Sequence, residues 1–265
     1  MPAAEPEHGA DDLALISEAA REAGRIALGF FKQSPEVWMK GGTSPVSEAD
    51  YAVDRFLRET LTAARPAYGW LSEETADNAG RLSASRTFVV DPIDGTRAFL
   101  DGRSTWCVSI AVVEDGHPLA GVLDCPATGE IYSASAGGGA VKDGRGLKVG
   151  APRDPARVAG PKPMLDAAAS YLNRSFERTP YVPSLAYRIA MVAEGTLDAT
   201  FIKPNSHDWD LAAADLILSE AGGRLLQPGG DRPLYATASS RHGALAAGSE
   251  PLLSAMIAAI AVIDA

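Results

Sequence analysis

At 265 residues, with 46% hydrophobic and 22% charged side chains, the chain can bury a large core and reads as a soluble globular protein. Its net charge of −10 argues against a partner held through a nucleic-acid backbone. An acidic protein still takes a small anion where bound cations reverse the local field.

Residues 1–10 are expected to form a disordered tail. The opening Met1 to Asp12 is acidic and lacks a basic n-region and an apolar core, so it does not read as a signal peptide. Asp11 or Asp12 is placed to cap a helix carrying Leu13, Ile16, Ala20, Ala23, Ala27 and Phe30 at helical spacing. Lys40-Gly-Gly-Thr-Ser-Pro45 reads as a flexible loop. Ser47-Glu-Ala-Asp50 resembles a capping box, and Val53, Phe56, Leu57, Thr60 and Leu61 mark one face of the helix behind it. Tyr68 to Ser72 reads as a short strand delivering Glu73 and Glu74.

Phe88-Val-Val90 is an apolar run read as the end of a buried strand, stopped by Pro92, which has no N–H to donate. Asp91 and Asp94 then share one tight turn. Two buried carboxylates that close repel unless a cation lies between them. Gly95 and Thr96 follow, and a helix opening at Arg97 would point its free N–H groups at the same spot, a phosphate-binding arrangement. Carboxylates for a hard cation beside N–H groups for an anion point to metal-assisted phosphate chemistry. The bland alternative is a plain turn, since Asp-Gly also occurs at Asp101, Asp115 and Asp143.

From Trp106 to Val149 the pattern changes to strands. Cys107 to Val113, Asp115-Gly116 and Pro118 to Leu123 form a hairpin signature. Gly137 to Gly144 is Gly-rich but lacks the Gly-Lys-Ser/Thr ending of a P-loop, so it reads as hairpin turns. Cys107 and Cys125 have neither zinc nor redox spacing, and so few cysteines suit a reducing cytoplasm. Ala151 to Pro163 carries four prolines and marks the expected boundary between lobes at 11–150 and 151–265. Beyond it, Met164 to Leu172 and Ser184 to Ala193 look helical, and Leu197 to Lys203 looks like a strand. His207 reads as a polar loop residue. Asp210 enters a helix with Leu211, Ala214, Leu218 and Ala221 on one face, ended by Gly222 and Gly223. The apolar run Met256 to Ile263 is too short to span a bilayer.

Asp91-Pro-Ile-Asp-Gly-Thr96, taken with Trp209-Asp-Leu-Ala-Ala-Ala-Asp-Leu-Ile-Leu-Ser-Glu-Ala-Gly-Gly223, resembles the paired signatures of the inositol monophosphatase superfamily. These are magnesium-dependent, lithium-sensitive phosphatases, and the resemblance runs over nearly the whole chain. It implies an α/β fold of the layered αβαβα sandwich type, a homodimer, and hydrolysis of a small phosphate ester by metal-activated water with two or three Mg²⁺ ions. Oxygen-only ligands agree with Mg²⁺ rather than zinc. Carried over residue by residue, the resemblance makes Glu73, Asp91, the Ile93 carbonyl, Asp94 and Asp210 the metal ligands. Asp50 helps hold a further ion, preceded by Lys40 in a mobile loop. Glu73 and Thr96 orient the attacking water, and the Gly95 and Thr96 N–H groups bind phosphate. Ser72 stands where the superfamily pattern has Gly. Lys203 occupies the neighbourhood where inositol monophosphatases offer a Glu to a sugar hydroxyl. That lysine suits a second phosphate better than a neutral hydroxyl, yet inositol monophosphate, as the broadest activity of the superfamily, is the substrate expected first. A 3′(2′),5′-bisphosphate nucleotide is the alternative, then histidinol phosphate or fructose bisphosphate. A non-enzymatic scaffold would have lost a ligand, and none of the expected ligands is missing.

Overall fold

The computed structural model describes residues 6–41 and 44–263. Helix α1 (Pro6–Phe30) starts ahead of the expected cap, because Pro6 is tolerated in a first turn and no breaker intervenes. Residues 6–10 are thus helical rather than tail, and residues 1–5 lie outside the described residues. Asp12 is not a cap. Its carboxylate is buried and accepts from Arg65 Nε at 3.0 Å, Tyr68 Oη at 2.9 Å and Arg86 Nη1 at 3.0 Å. Lys40 closes a strand, since β1 (Val37–Lys40) and β2 (Ser44–Ser47) pair antiparallel where a flexible loop was expected, with residues 42–43 outside the description. In α2 (Glu48–Ala64) the expected face is buried at Val53, Leu57 and Leu61.

The next elements are β3 (Gly69–Ser72), β4 (Arg86–Asp94), α3 (Thr96–Leu100), β5 (Cys107–Glu114), β6 (His117–Cys125), β7 (Glu130–Ser135), β8 (Gly139–Lys142) and β9 (Arg145–Gly146). The seven strands from β3 to β9 form one sheet in chain order. β3 and β4 are parallel, and the later neighbours pair antiparallel, with hairpin turns at Asp115-Gly116 and Asp143-Gly144.

Strand β4 does not stop at Val90. It runs on to Asp94 through an irregularity in which Asp91 pairs with Ser109 and Asp94 with Cys107. Pro92 and Ile93 oppose the single residue Val108, so the proline sits where a bulge leaves the ladder unpaired.

The second sheet uses β10 (Ala156–Ala159), β11 (Phe176–Arg178), β12 (Ala199–Ile202), β14 (Arg224–Leu226) and β16 (Leu245–Gly248), in the order β11-β10-β12-β16-β14. Between and after them come α4 (Lys162–Leu172), α5 (Leu185–Ala193), α6 (Asp208–Glu220) and α7 (Leu252–Ile263). A small antiparallel pair, β13 (Ser206–His207) with β15 (Arg241–His242), lies at the start of α6, which β13 leads into directly.

Period-two alternation in the strands produces five layers. Phe88 and Val90 face α1 and α2, while Val89 faces the opposite side, with α5 and α6. In β12, Ile202 joins that same middle layer and Phe201 turns to α4 and α7. The order is therefore helices, sheet, helices, sheet, helices, the expected αβαβα sandwich. Each fully buried Phe or Leu in these interfaces contributes about 1.5–3 kcal/mol. Gly121 of β6 lets α6 lie close to the first sheet, since a Cβ there would stand 3.0 Å from the Ala213 backbone.

Candidate metal and phosphate site

The bulge of β4 and the N-terminus of α6 meet at one point. Asp91, Asp94 and Asp210 bring carboxylate oxygens within 4.8 Å of one another. Asp210 is the third residue of α6, and its Oδ2 accepts from the His207 N–H at 2.7 Å. His207 is thus the cap of α6 rather than a loop residue, and its ring stacks on Trp209 at 4.6 Å. Burial holds its pKa below the ordinary value.

Glu73 follows directly on β3 and joins the group electrostatically. Burial, then the Asp210 charge, then that of Glu74, push its pKa up to about 8. Asp210 rises to about 7, chiefly through burial and then the charge of Asp94. Burial and the charges of Glu73, Asp94 and Asp210 drive Asp91 well above the carboxylate range. Among the described residues Asp91 accepts one hydrogen bond, from the Ile93 N–H at 3.0 Å. Four crowded carboxylates whose charges raise one another's pKa form an unfavourable array unless cations compensate them. The donors are all oxygen, as a hard divalent ion requires, so the residues fit a Mg²⁺-type group.

Gly95 adopts φ +96° and caps α3. A Cβ there would sit 2.9 Å from Ser184 Cβ, so no other residue fits this turn without strain. Thr96 Oγ1 lies 3.2 Å from Asp50 Oδ1 and 3.1 Å from the Ile93 carbonyl oxygen. Asp50 also accepts from Ser47 N–H at 2.8 Å and Ser47 Oγ at 2.6 Å, which completes the capping box. Burial raises its pKa in spite of these donors. The Gly95 and Thr96 N–H groups belong to a first turn that has no intrahelical acceptor for them.

Two contacts were not foreseen. The N-terminus of α5 clamps Asp94, with Ser184 Oγ at 2.5 Å and Ala186 N at 2.7 Å on Oδ2, and Leu185 N at 3.2 Å on Oδ1. Ser184 opens a segment read as helical from sequence and is the cap of α5 in the structure, but nothing local tells which carboxylate it meets. Lys40 donates to the Glu73 carbonyl at 3.1 Å and pairs with Glu74, so it fixes the glutamate pair at the end of β3. Ser72, the departure from the superfamily pattern, is buried and donates to Asp54. Lys203 lies exposed just beyond β12, and its charge opposes the upward shift of Asp210.

The chain matches the model of the inositol monophosphatase family over residues 11–262. It is 33% identical to an inositol-1-monophosphatase of Rhizobium meliloti, over 92% of this chain and 94% of that protein. It is 32% identical to the 3′(2′),5′-bisphosphate nucleotidase CysQ of Aggregatibacter actinomycetemcomitans, over 78% of this chain and 81% of that one. In structure it superposes on the extragenic suppressor protein suhB of Bartonella henselae with a TM-score of 0.83 and 28% identity, covering 94% of this chain and 98% of suhB. With the αβαβα layering and the acidic cluster of Asp91, Asp94 and Asp210, these matches lead to one conclusion: the chain belongs to the inositol monophosphatase family.

Proposed function

We propose that this chain is a Mg²⁺-dependent phosphomonoesterase acting on a small phosphate ester, with inositol monophosphate as the substrate class favoured first. The observation that carries this reading is the convergence of Asp91, Asp94 and Asp210 within 4.8 Å beside the first turn of α3. Glu73, Asp91, the Ile93 carbonyl, Asp94 and Asp210 would hold two ions, with Asp50 near a third. Bound Mg²⁺ would neutralise phosphate charge and make water more acidic.

The remaining chemistry belongs to the chain itself. The Gly95 and Thr96 N–H groups bind phosphate oxygens, aided by the helix dipole. Thr96 Oγ1, donating to Asp50, keeps lone pairs free to accept a hydrogen bond from the attacking water. The Glu73 carboxylate takes up one proton of that water, once a nearby cation has returned its pKa to the ionised range. The water oxygen bonds to phosphorus as the ester P–O bond breaks, and the leaving alkoxide takes up a proton from solvent, replacing the one that Glu73 removed and releases again. The homodimer implied by the resemblance and the cytoplasmic location suited by so few cysteines are part of the same proposal. No helix among the described residues is long and apolar enough to cross a membrane.

Lys203 favours a second reading, the 3′(2′),5′-bisphosphate nucleotide, since its charge already reaches Asp210 and an ammonium group suits a second phosphate. The deciding experiment measures phosphate release, with and without Mg²⁺, from inositol 1-phosphate, 3′-phosphoadenosine 5′-phosphate, histidinol phosphate and fructose 1,6-bisphosphate. It is repeated with Lys203→Glu. If the nucleotide is the substrate, its kcat/KM falls at least about tenfold in the variant, roughly 1.4 kcal/mol, while inositol 1-phosphate is unaffected or improves. No Mg²⁺-dependent release from any of the four would overturn the phosphatase reading.

A further inference from the structure

One turn along α5 from Ser184 stands Arg188, only 7% exposed. Among the described residues its guanidinium has a single acceptor, the Phe201 carbonyl, which is 3.3 Å from Nη2. Its Nε is buried without a partner. Arg188 lines a cavity of about 580 Å³, together with Gly160, Lys162, Arg178, Thr179 and Tyr181. The Thr179 hydroxyl is likewise buried and unpartnered. No aspartate or glutamate lines the cavity, although the chain carries a net charge of −10. Arg178 is drawn toward Asp166, outside the lining, at 2.6 Å.

A buried guanidinium whose Nε–H has no partner is costly, because that donor loses water without replacement. A neighbouring hydroxyl left unpartnered adds to that cost. One oxyanion in the cavity relieves both, since guanidinium binds carboxylate and phosphate through paired N–H donors. Lys162 and Arg178 at the rim add attraction and no repulsion. Asp94, at the N-terminus of α5, interacts with Arg188 electrostatically but is already held by Ser184, Leu185 and Ala186. It therefore does not fill the cavity.

We propose that this cavity is an anion-binding site in which Arg188 and Thr179 hold a phosphate or carboxylate group. The group comes from one of two sources: a second anionic substituent of the substrate, or a separate small anion. The site lies one helical turn, about 6 Å of rise, from the clamp on Asp94.

The test titrates inorganic phosphate into EDTA-treated protein and follows Tm and ³¹P line width. Without metal, the crowded carboxylates of the candidate active site repel phosphate. The expected result is saturable binding, at least about tenfold weaker in Arg188→Gln and at least about threefold weaker in Thr179→Val. Thr179→Val removes a hydroxyl that makes no hydrogen bond, so this variant keeps the fold if Arg188→Gln does not. Absence of saturable binding, or equal affinity in the wild type and Thr179→Val, overturns the proposal. This readout needs neither Mg²⁺ nor turnover, so it stands or falls separately from the phosphatase reading.

The source follows from kcat/KM of Thr179→Val on two phosphomonoesters, one with a second anionic group and one without. A loss confined to the first ester assigns the site to the substrate. Unchanged values for both, with phosphate binding weakened, assign it to a separate anion.

Discussion

Asp91 faces three other carboxylates and has one N–H for compensation. Its charge is useful only with a cation present. Asp91→Asn keeps the volume and removes that charge. Mg²⁺-dependent phosphate release is therefore expected to fall at least about a hundredfold, the loss of a few kcal/mol of charge stabilisation. Tm in EDTA should stay level or rise, because a repulsive group has gone. Near-normal turnover in the variant would remove Asp91 from the metal site. The same repulsion sets the pH dependence of the metal-free protein. Glu73 and Asp210 ordinarily titrate at 4.5 and 3.8 but are pushed to about 8 and about 7 in the fold. Between those limits the native state holds protons that the unfolded chain has released. Stability therefore falls as pH rises from about 4.5 to about 8. The expected fall in Tm in EDTA over this window is at least about 2 °C, and saturating Mg²⁺ should flatten it. A Tm rising with pH in EDTA would contradict the crowding.

Single elements position these residues. The bulge in β4 places Asp91 and Asp94 at the sheet end despite Pro92, and α5 and α6 deliver their N-termini to the same point. The approach of α6 depends on Gly121, which lies directly beneath Ala213. A valine at position 121 would drive its Cβ into the helix backbone. Gly121→Val is expected to cost about 1–3 kcal/mol through overpacking. It should also cut kcat/KM at least about tenfold, since small displacements of a reacting group are expensive. Thermal melting and steady-state kinetics on the same preparation check both. Full activity with unchanged Tm would show that the α6 approach does not set the position of Asp210.

At the scale of the molecule, the ligand set is drawn from the ends of β3 and β4 and from α6, which are locked into two adjacent layers of the five. Such a frame cannot relax outward to the longer bonds and higher coordination of Ca²⁺, whereas Mg²⁺ prefers a tight octahedron. Ca²⁺ is therefore expected to leave EDTA-treated protein at background activity. Li⁺ is expected to inhibit on family grounds alone. Full activity in Ca²⁺ would count against this site chemistry.

Much of this arrangement is written locally. Asp91, Ile93, Asp94, Gly95 and Thr96 are neighbours in the chain, so their shared turn needs only the bulge and the φ of Gly95. The hairpins and most helices follow from periodicity and from Asp-Gly pairs. The long first helix was read short because an acidic start resembles both a cap and a tail, and only packing of Asp12 against Arg65, Tyr68 and Arg86 tells them apart. The meeting of Asp210 with Asp91, the clamp of Ser184 on Asp94 and the unpaired burial of Arg188 depend on tertiary structure. Each joins segments far apart in the chain, and their distances are set by sheet register and helix packing, which no short window of residues encodes.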